Sequence, residues 1–287
     1  MTPAEALIAE AFEQACRDEL EAPKPGNVHV FAGGHAMTAR DFIRSAEVAA
    51  PVIARRRTGI GRRIFGAVEV TLATARQNTN LGIVLLCAPL AAAAERGPRD
   101  LRAGLREALA GLDREDARLA FEAITKAAPG GLGRVQKHDV RSPALVSLLE
   151  AMIEAASRDR IASQYATGFA DVFEIGLPAL RASLTRDSDR RRATLAVYLT
   201  FLAAFPDTHI LRRQGRAVAD GVMSVASGFR ERLLRASSLD EVRDGLMNWD
   251  RALKDKGINP GTSADLTVAT LFALRLQDIL RSVRKSG

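Results

Sequence analysis

Four short segments of the sequence carry more polar and turn-forming residues than the joining of helices requires. They are Lys24-Pro25-Gly26-Asn27-Val28-His29, Gln77-Asn78-Thr79-Asn80-Leu81-Gly82, Phe205-Pro206-Asp207-Thr208-His209-Ile210 and Asn259-Pro260-Gly261-Thr262-Ser263-Ala264-Asp265-Leu266. Amide and hydroxyl groups at a helix start favour anion binding, because the free N–H groups there point at the ligand. Any one segment is also explained as an ordinary loop or a helix cap. The interpretation therefore depends on all four together.

The first two segments favour a phosphate as the anion. In the first, Pro25 and Gly26 fix a tight turn, and Lys24 offers a positive charge suited to phosphate. In the second, the polar run Gln77–Asn80 precedes an apolar helix, whereas capping requires only one polar residue. The predicted phosphate- or nucleotide-binding residues are Lys24, Gly26, Asn27, Asn78, Thr79, Asn80, Thr208, Arg212, Arg213, Gly261 and Ser263.

The third segment combines a carboxylate, a hydroxyl and an imidazole before two basic residues. Asp207, Thr208 and His209 precede Arg212 and Arg213, a combination that suits a metal–phosphate site. Asp207 is also explained as the cap of the helix that follows, because Asp is a frequent cap.

In the fourth segment, Thr262 and Asp265 have the spacing of a capping box, which is the simpler explanation for Asp265. A helical bundle can gather several helix starts at one end. We therefore expect the four segments to converge on one site.

The elements that position these segments are predicted to be helices. Apolar residues recur at helical spacing along nearly the whole chain, and no stretch alternates Val, Ile and Thr around a hairpin turn. The sequence predicts an all-α protein, a single globular domain over residues 1–287 with about ten helices. Pro129-Gly130-Gly131-Leu132-Gly133 predicts a long surface loop. After a first helix near the N-terminus, the predicted helices are 39–56, 60–75, 80–95, 99–127, 143–182, 189–204, 209–235, 239–255 and 263–284.

Composition supports a folded protein with an affinity for anions. Hydrophobic residues make up 47% and charged residues 26% of the 287 residues, values typical of globular proteins. The 41 basic and 34 acidic residues give a net charge of +7, which favours anionic ligands. Arginine runs such as Arg55-Arg56-Arg57 are explained as solvated helix faces, and no stretch combines aromatic and basic residues as RNA-binding strands do.

The sequence has no zinc, disulfide or membrane signature. Cys16 and Cys87 lie in apolar helical context and form no CxxC spacing. The longest apolar run, Leu81 to Ala94, is shorter than the roughly 20 residues that span a bilayer, and the N-terminus lacks a signal-peptide pattern. We expect a soluble cytoplasmic protein that binds neither nucleic acid nor membrane, and a homodimer is compatible with the sequence.

In their order, the four segments resemble the triphosphoribosyl-dephospho-CoA synthase family, which is all-helical. Its Pro-Gly turn and following His segment are similar to Lys24–Val28 and Gly34-His35, and its Asn-Thr-His-Lys-Gly motif is similar to Asn78–Gly82. Its Asp-Thr-Asn-Ile-Leu motif resembles Asp207-Thr208-His209-Ile210-Leu211. Its Ser-Pro-Gly-Gly-Ser-Ala-Asp-Leu motif, the most specific, resembles Asn259–Leu266.

The resemblance implies a transferase. The 2′-hydroxyl of 3′-dephospho-CoA attacks ribose C1′ of ATP, adenine leaves, and Mg²⁺ accompanies the triphosphate. Asp207 and Asp265 are then the leading candidates for the general base or the Mg²⁺ ligand, with Asp41 and Glu69 behind them, because carboxylates stabilise a cationic sugar. His209 would hold a phosphate or protonate the leaving base.

The sequence also departs from the family at several positions. Asn80 and Leu81 replace the family's His and Lys, Ala36 follows His35 where an acidic residue is expected, and only Gly215 remains of a glycine pair. These changes resemble a divergent branch linked to one-carbon metabolism. One alternative is therefore a nucleotide- or phosphate-dependent transferase acting on a tetrahydromethanopterin or methanofuran precursor. Another is a non-catalytic helical protein that binds RNA or an acidic partner.

Overall fold

A computed structural model describes residues 1–129 and 139–286, with side chains described as far as Arg284. The glycine-rich loop predicted at 129–133 therefore lies, beyond Pro129, outside the described residues. Within them there is no β-strand, and only two isolated bridges, His29 with Ala32 and Gly34 with Met37, have β geometry. The predicted all-α class is confirmed.

The described residues form fourteen α-helices and one π-helix rather than about ten helices. The π-helix is Asp171–Gly176. The α-helices are α1 (Pro3–Glu21), α2 (Ala39–Ile53), α3 (Ile60–Ala75), α4 (Leu81–Glu95), α5 (Leu101–Ala110), α6 (Arg114–Ala127), α7 (Leu148–Ala155), α8 (Arg160–Thr167), α9 (Leu177–Arg186), α10 (Arg190–Ala204), α11 (Thr208–Gln214), α12 (Arg216–Arg235), α13 (Asp240–Asp255) and α14 (Gly261–Ser286).

The predicted number is too low because 99–127 and 209–235 each contain one break and 143–182 contains two. Asp113 and Asp116 form a capping box that starts α6 inside 99–127. Asp159 caps α8, and Gly168 ends it in the left-handed region. Gly215, with φ of 85°, separates α11 from α12.

The helices group into two compact units, each of which is discontinuous in sequence. Unit 1 comprises residues 1–15, 41–170 and 272–287, and unit 2 comprises residues 16–40 and 171–271. A single domain over 1–287 stays a prediction.

In unit 1, α3 packs closely against α6. A side chain at Gly61 would meet the Asp116 backbone at 2.5 Å, and the Gly61 N–H donates to the Asp116 carboxylate at 2.7 Å. Helix α4 is buried along nearly its whole length, which is why its sequence is apolar on all sides. Tyr165 donates a hydrogen bond at 2.6 Å to the carbonyl of Leu85 in this helix.

In unit 2, α10 is the buried central helix. Its Leu195, Tyr198 and Leu202 are fully buried in a cluster shared with α12 and α13. This packing fixes the helices whose ends carry the loops of the third and fourth segments.

No single helix in the described part of the chain is long and apolar enough to cross a bilayer; α10 and α11 reach the required length and composition only together, across a bend of 53°.

Candidate functional site

The first loop, residues 22–37, is held in place by contacts from distant parts of unit 2. Gly26 adopts φ of 81°, and a side chain there would meet Pro260 at 2.8 Å. The Tyr198 hydroxyl donates to the Pro25 carbonyl at 2.7 Å. The His35 ring donates from Nε2 to the Gly26 carbonyl at 2.9 Å. Glycine is therefore required at position 26 both for its backbone angle and for the close approach of the fourth segment.

Lys24 is fully buried, which changes its role from the predicted one. Its ammonium donates to the carboxylate of Glu19, to Asn27 Oδ1 at 3.0 Å and to the Val28 carbonyl at 2.8 Å. These acceptors use all the donors of a lysine ammonium. The geometry therefore assigns Lys24 to positioning the first loop, not to direct contact with a phosphate. Burial lowers the pKa of Lys24, while the Glu19 charge opposes that shift.

Asp250 of α13 connects the first loop to two further ionisable groups. Its carboxylate accepts from the Gly26 N–H and from Lys254 Nζ, both at 2.9 Å, and lies 3.3 Å from His29 Nε2. Burial lowers the pKa of His29, so its ring is neutral at pH 7. His29 Nδ1 is buried and lacks a hydrogen-bond partner among the described residues.

The sequence predicts no role for Glu19, Asp250 or Lys254, and none for His29 beyond its place at the end of the first segment. Asp250 and Lys254 have the ordinary i, i+4 spacing of a helical ion pair, so nothing local distinguishes them from a solvated face. Their place in the site comes from pairing with residues more than 220 positions away.

Asp207 joins the starts of α11 and α14. Its Oδ1 accepts from the N–H groups of His209 and Ile210, and its Oδ2 accepts from the N–H and the hydroxyl of Ser263, both at 2.8 Å. The side chain caps α11 and is only 1% exposed. With four donors already on the carboxylate, the geometry assigns Asp207 to structural linkage instead of the predicted base or metal ligand.

Metal-binding geometry is not seen elsewhere either: among the described residues, no group of three His, Cys, Asp or Glu side chains could hold an ion. Asp265 is half-buried and close enough to Lys24 for its charge to raise that lysine's pKa. Its predicted catalytic and metal-binding roles stay predictions. Thr262 lies inside α14, which begins at Gly261, so it is not the cap that the predicted capping box requires.

His209 has the geometry of a neutral base. Its Nδ1 lies 3.0 Å from the Asn259 carbonyl, which can only accept, so the ring proton is on Nδ1 and the lone pair is on Nε2. Within the described part of the chain, Nε2 has no hydrogen-bond partner. Burial lowers the pKa of His209, and the charges of Arg212 and Arg213 lower it further against the opposing charge of Asp207.

The third and fourth segments pack directly on each other. The Thr208 and Thr262 hydroxyls are 3.0 Å apart, and a side chain at Gly261 would meet the His209 ring at 2.8 Å. Asn259 also bonds to Asn27 of the first loop at 2.8 Å. Three of the four segments therefore meet in unit 2, as the sequence predicts for the whole set.

The second segment belongs to unit 1, where its polar groups bond to nearby helices. Asn78 Oδ1 accepts from the Leu81 N–H, Thr79 bonds to Ser45 at 2.7 Å, and Asn80 donates to Thr71 at 3.1 Å. Its predicted phosphate contacts stay predictions.

Asp41 and Glu69, the lower-ranked candidates for the general base or the Mg²⁺ ligand, also belong to unit 1. Glu69 is exposed and paired with Lys126 at 2.8 Å, which is the geometry of a surface ion pair.

Comparison with known proteins identifies the family. The ATP:dephospho-CoA triphosphoribosyl transferase family (CitG) matches residues 5–283. The chain belongs to this family.

Two relatives in this transferase family come from Pectobacterium. The 2-(5''-triphosphoribosyl)-3'-dephosphocoenzyme-A synthase of Pectobacterium atrosepticum and a probable enzyme of the same name from Pectobacterium carotovorum are each 31% identical over 202 residues. Those residues are 69% of this chain but only 59% of either relative. The chain thus matches somewhat more than half the length of these curated synthases.

A crystal structure from Archaeoglobus fulgidus has the same fold. Its protein carries the provisional name triphosphoribosyl-dephospho-CoA synthase, and the two chains are 25% identical with a TM-score of 0.61. The similarity covers 80% of this chain and 95% of the archaeal one. The helical architecture is therefore that of the transferase family.

Proposed function

We propose that the protein is an ATP:dephospho-CoA triphosphoribosyl transferase. In this reaction the 2′-oxygen of 3′-dephospho-CoA forms a bond to ribose C1′ of ATP, and the C1′–N9 bond breaks. Its electron pair leaves on adenine, and the triphosphate stays on the transferred sugar. The hydroxyl loses one proton and adenine gains one, so the reaction releases no net proton. Family membership and the chemistry of the unit 2 loops support this assignment.

The observation that carries the proposal is the state of His209. A general base must present a free lone pair at working pH, and the Asn259 carbonyl leaves that lone pair on Nε2. The lowered pKa keeps the ring neutral at pH 7, which favours proton acceptance from the attacking hydroxyl over the predicted binding of phosphate. The imidazolium formed in this step can then protonate the departing adenine.

Arg212 and Arg213 are the cations best placed for the triphosphate. Both are near enough to His209 to lower its pKa, and arginine presents several donors to phosphate oxygens. Mg²⁺ would enter as part of the ATP substrate, held by its phosphates. Asp207 does not fit as a protein ligand for the ion, since its carboxylate oxygens already accept four hydrogen bonds.

Adenine release tests the proposal directly. Purified protein is incubated with ATP, Mg²⁺ and 3′-dephospho-CoA, and products are separated by chromatography with mass detection. We expect free adenine and triphosphoribosyl-dephospho-CoA in equal amounts, and no adenine without the acceptor. Formation of ADP, AMP or pyrophosphate in place of adenine would overturn the assignment, as would binding of ATP with no turnover.

A further inference from the structure

Unit 2 contains an open cleft that none of the roles described so far uses. Its volume is about 630 Å³, within the range of small-molecule sites. The wall includes Phe31 of the first loop, the start of α10 and the turn before α13. The cleft adjoins the group formed by His29, Asp250 and Lys254, since the Phe31 ring centroid is 5.9 Å from that of His29.

Phe31 presents an aromatic face to this cleft. Phe31 is 40% exposed, and backbone hydrogen bonds hold the loop that carries it. The bridge between His29 and Ala32 on either side of it fixes the local backbone. A rigidly held, partly exposed ring is a platform on which a planar base can stack.

Two arginines from different helices approach the same ring. The guanidinium carbons of Arg191 and Arg243 lie 6.0 Å and 5.3 Å from its centroid. Their carboxylate partners, Glu21 and Asp240, are distant, with N–O separations of 3.7 Å and 3.9 Å. Exposed ion pairs this long contribute little to stability. Either guanidinium can therefore leave its carboxylate and bind a ligand phosphate with little loss of free energy.

The wall behind these groups is preorganised. Arg192 is 3% exposed and donates to the carbonyls of Leu233, Ala236 and Ser237, while its other contact is Asp187 at 3.1 Å. This buried guanidinium ties the end of α12 and the following turn to the start of α10. A ligand in the cleft therefore meets a fixed surface, and binding orders little of the protein.

We propose that this cleft, here called the Phe31 cleft, binds the adenine nucleotide end of the acceptor. The base stacks on Phe31, and the diphosphate is bound by Arg191 and Arg243. The ligand class is an adenine nucleotide carrying a diphosphate. Its identification as 3′-dephospho-CoA rests on the proposed function.

ATP shares this chemistry, but the proposed function assigns other arginines to its triphosphate. Arg212 and Arg213 belong to the same short helix as His209, and neither lines the Phe31 cleft. Two nucleotides react here, and each requires a separate place. The Phe31 cleft offers such a place for the acceptor.

Phe31→Leu tests the stacking contact, because leucine keeps the apolar bulk and removes the aromatic face. Calorimetry with 3′-dephospho-CoA should show affinity about tenfold weaker than in the unchanged protein. Phe31→Tyr should restore it. Binding of 4′-phosphopantetheine, which lacks the base, should not respond to either change. In turnover assays the KM for 3′-dephospho-CoA should rise, while the KM for ATP stays the same.

Arg243→Gln tests the phosphate contact against a matched control. It should weaken 3′-dephospho-CoA binding and make binding less dependent on salt. Arg281→Gln removes an exposed arginine with the same i, i+3 spacing to an aspartate, and should change neither property.

The outcomes separate this inference from the proposed function. Adenine release with an acceptor KM unaffected by Phe31→Leu would overturn the Phe31 cleft alone. Tight, Phe31-dependent binding of 3′-dephospho-CoA without adenine release would overturn only the reaction. A KM that rises for ATP instead would assign the cleft to the donor and overturn the inference. Failure of the unchanged protein to bind 3′-dephospho-CoA would overturn it as well.

Discussion

Among the residues that the structure describes, each unit has a fully buried cation paired with a glutamate. In unit 1, Arg63 donates to Glu95 and to the carbonyls of Ile53 and Thr58. In unit 2, Lys24 donates to Glu19, to an amide oxygen and to a carbonyl. Burial lowers the pKa of both cations. By charge, burial and hydrogen bonding, the two pairs look alike.

Their surroundings differ. The Arg63 pair ties the end of α2 and the turn before α3 to the end of α4. The Lys24 pair fixes a loop that also contacts Asp250, Asn259 and Tyr198, and that stands beside two neutral histidines. A buried ion pair alone therefore does not indicate a functional site; convergence of further ionisable groups does.

The largest expected effect distinguishes the two cations. Lys24→Met should reduce the free energy of unfolding by about 3–5 kcal/mol, because it leaves Glu19 buried without a partner. Arg63→Met should cost less, since Glu95 is 14% exposed and can be hydrated. Urea denaturation measures both values. The double variant Lys24→Met with Glu19→Leu should recover much of the loss.

Adenine release by the same two variants also distinguishes the Lys24 pair from the Arg63 pair. The folded fraction of the Lys24→Met variant should lose adenine release, whereas folded Arg63→Met should retain it. Equal losses of turnover in the two variants would contradict a functional difference between the two pairs.

His209→Gln should produce the next largest effect, on rate instead of stability. Loss of a general base lowers kcat by about 10²–10⁴-fold. The pH profile provides the control. The folded-state pKa of His209 is lowered from 6.5, so the unchanged enzyme should keep its rate above pH 6.5 and lose it as pH falls through the folded pKa. Its contribution to stability has the same sign, being complete above pH 6.5 and lost at lower pH. If the rate of the His209→Gln variant still falls at low pH in the same way, another residue is the general base.

Asp207→Asn should cost about 2 kcal/mol, because it removes charge-assisted bonds to Ser263 that join α11 to α14. Asp100→Asn is the matched control, an exposed N-cap on α5 whose replacement by another good cap should cost at most a few tenths of a kcal/mol. Chemical denaturation compares the two. Similar small losses would mean that Asp207 is only an ordinary cap.

Glu69→Gln should have the smallest effect. Its pairing with Lys126 is exposed, and such pairs are worth about 0–1 kcal/mol. We expect unchanged kcat and KM values in the adenine assay and a Tm close to that of the unchanged protein. A substantial loss of turnover would restore Glu69 as a site residue.

Local signals predicted the helices well where a cap or apolar stripe marks them. The prediction of 60–75 coincides with α3, and that of 189–204 differs from α10 by one residue. The breaks at Asp159 and Gly215 were missed because the apolar pattern continues across them. Asp159 caps the start of α8, and Gly215 ends α11.

The meeting of three polar loops was predictable from the sequence, whereas the hydrogen-bond partners of their residues were not. Polar residues beside Gly and Pro correctly indicated that the loops at Gly26, His209 and Gly261 meet. The sequence does not show that the polar atoms of Lys24 and Asp207 are already hydrogen-bonded within the protein. Their partners, Glu19 and Ser263, lie outside the segments that contain them. The pairing of His29 with Asp250 does not follow from the sequence for the same reason.

The long separation of these partners has a consequence for the order of assembly. The hydrogen bonds that hold Pro25, Gly26 and Asn27 close loops of 173, 224 and 232 residues. Closing such loops costs entropy, so these contacts form after the local helices. A nascent chain that has not yet released α13 and the start of α14 from the ribosome cannot fix its first loop. The candidate site therefore forms only after Asp250, Asn259 and Ser263 have been translated, more than 200 residues after its first loop.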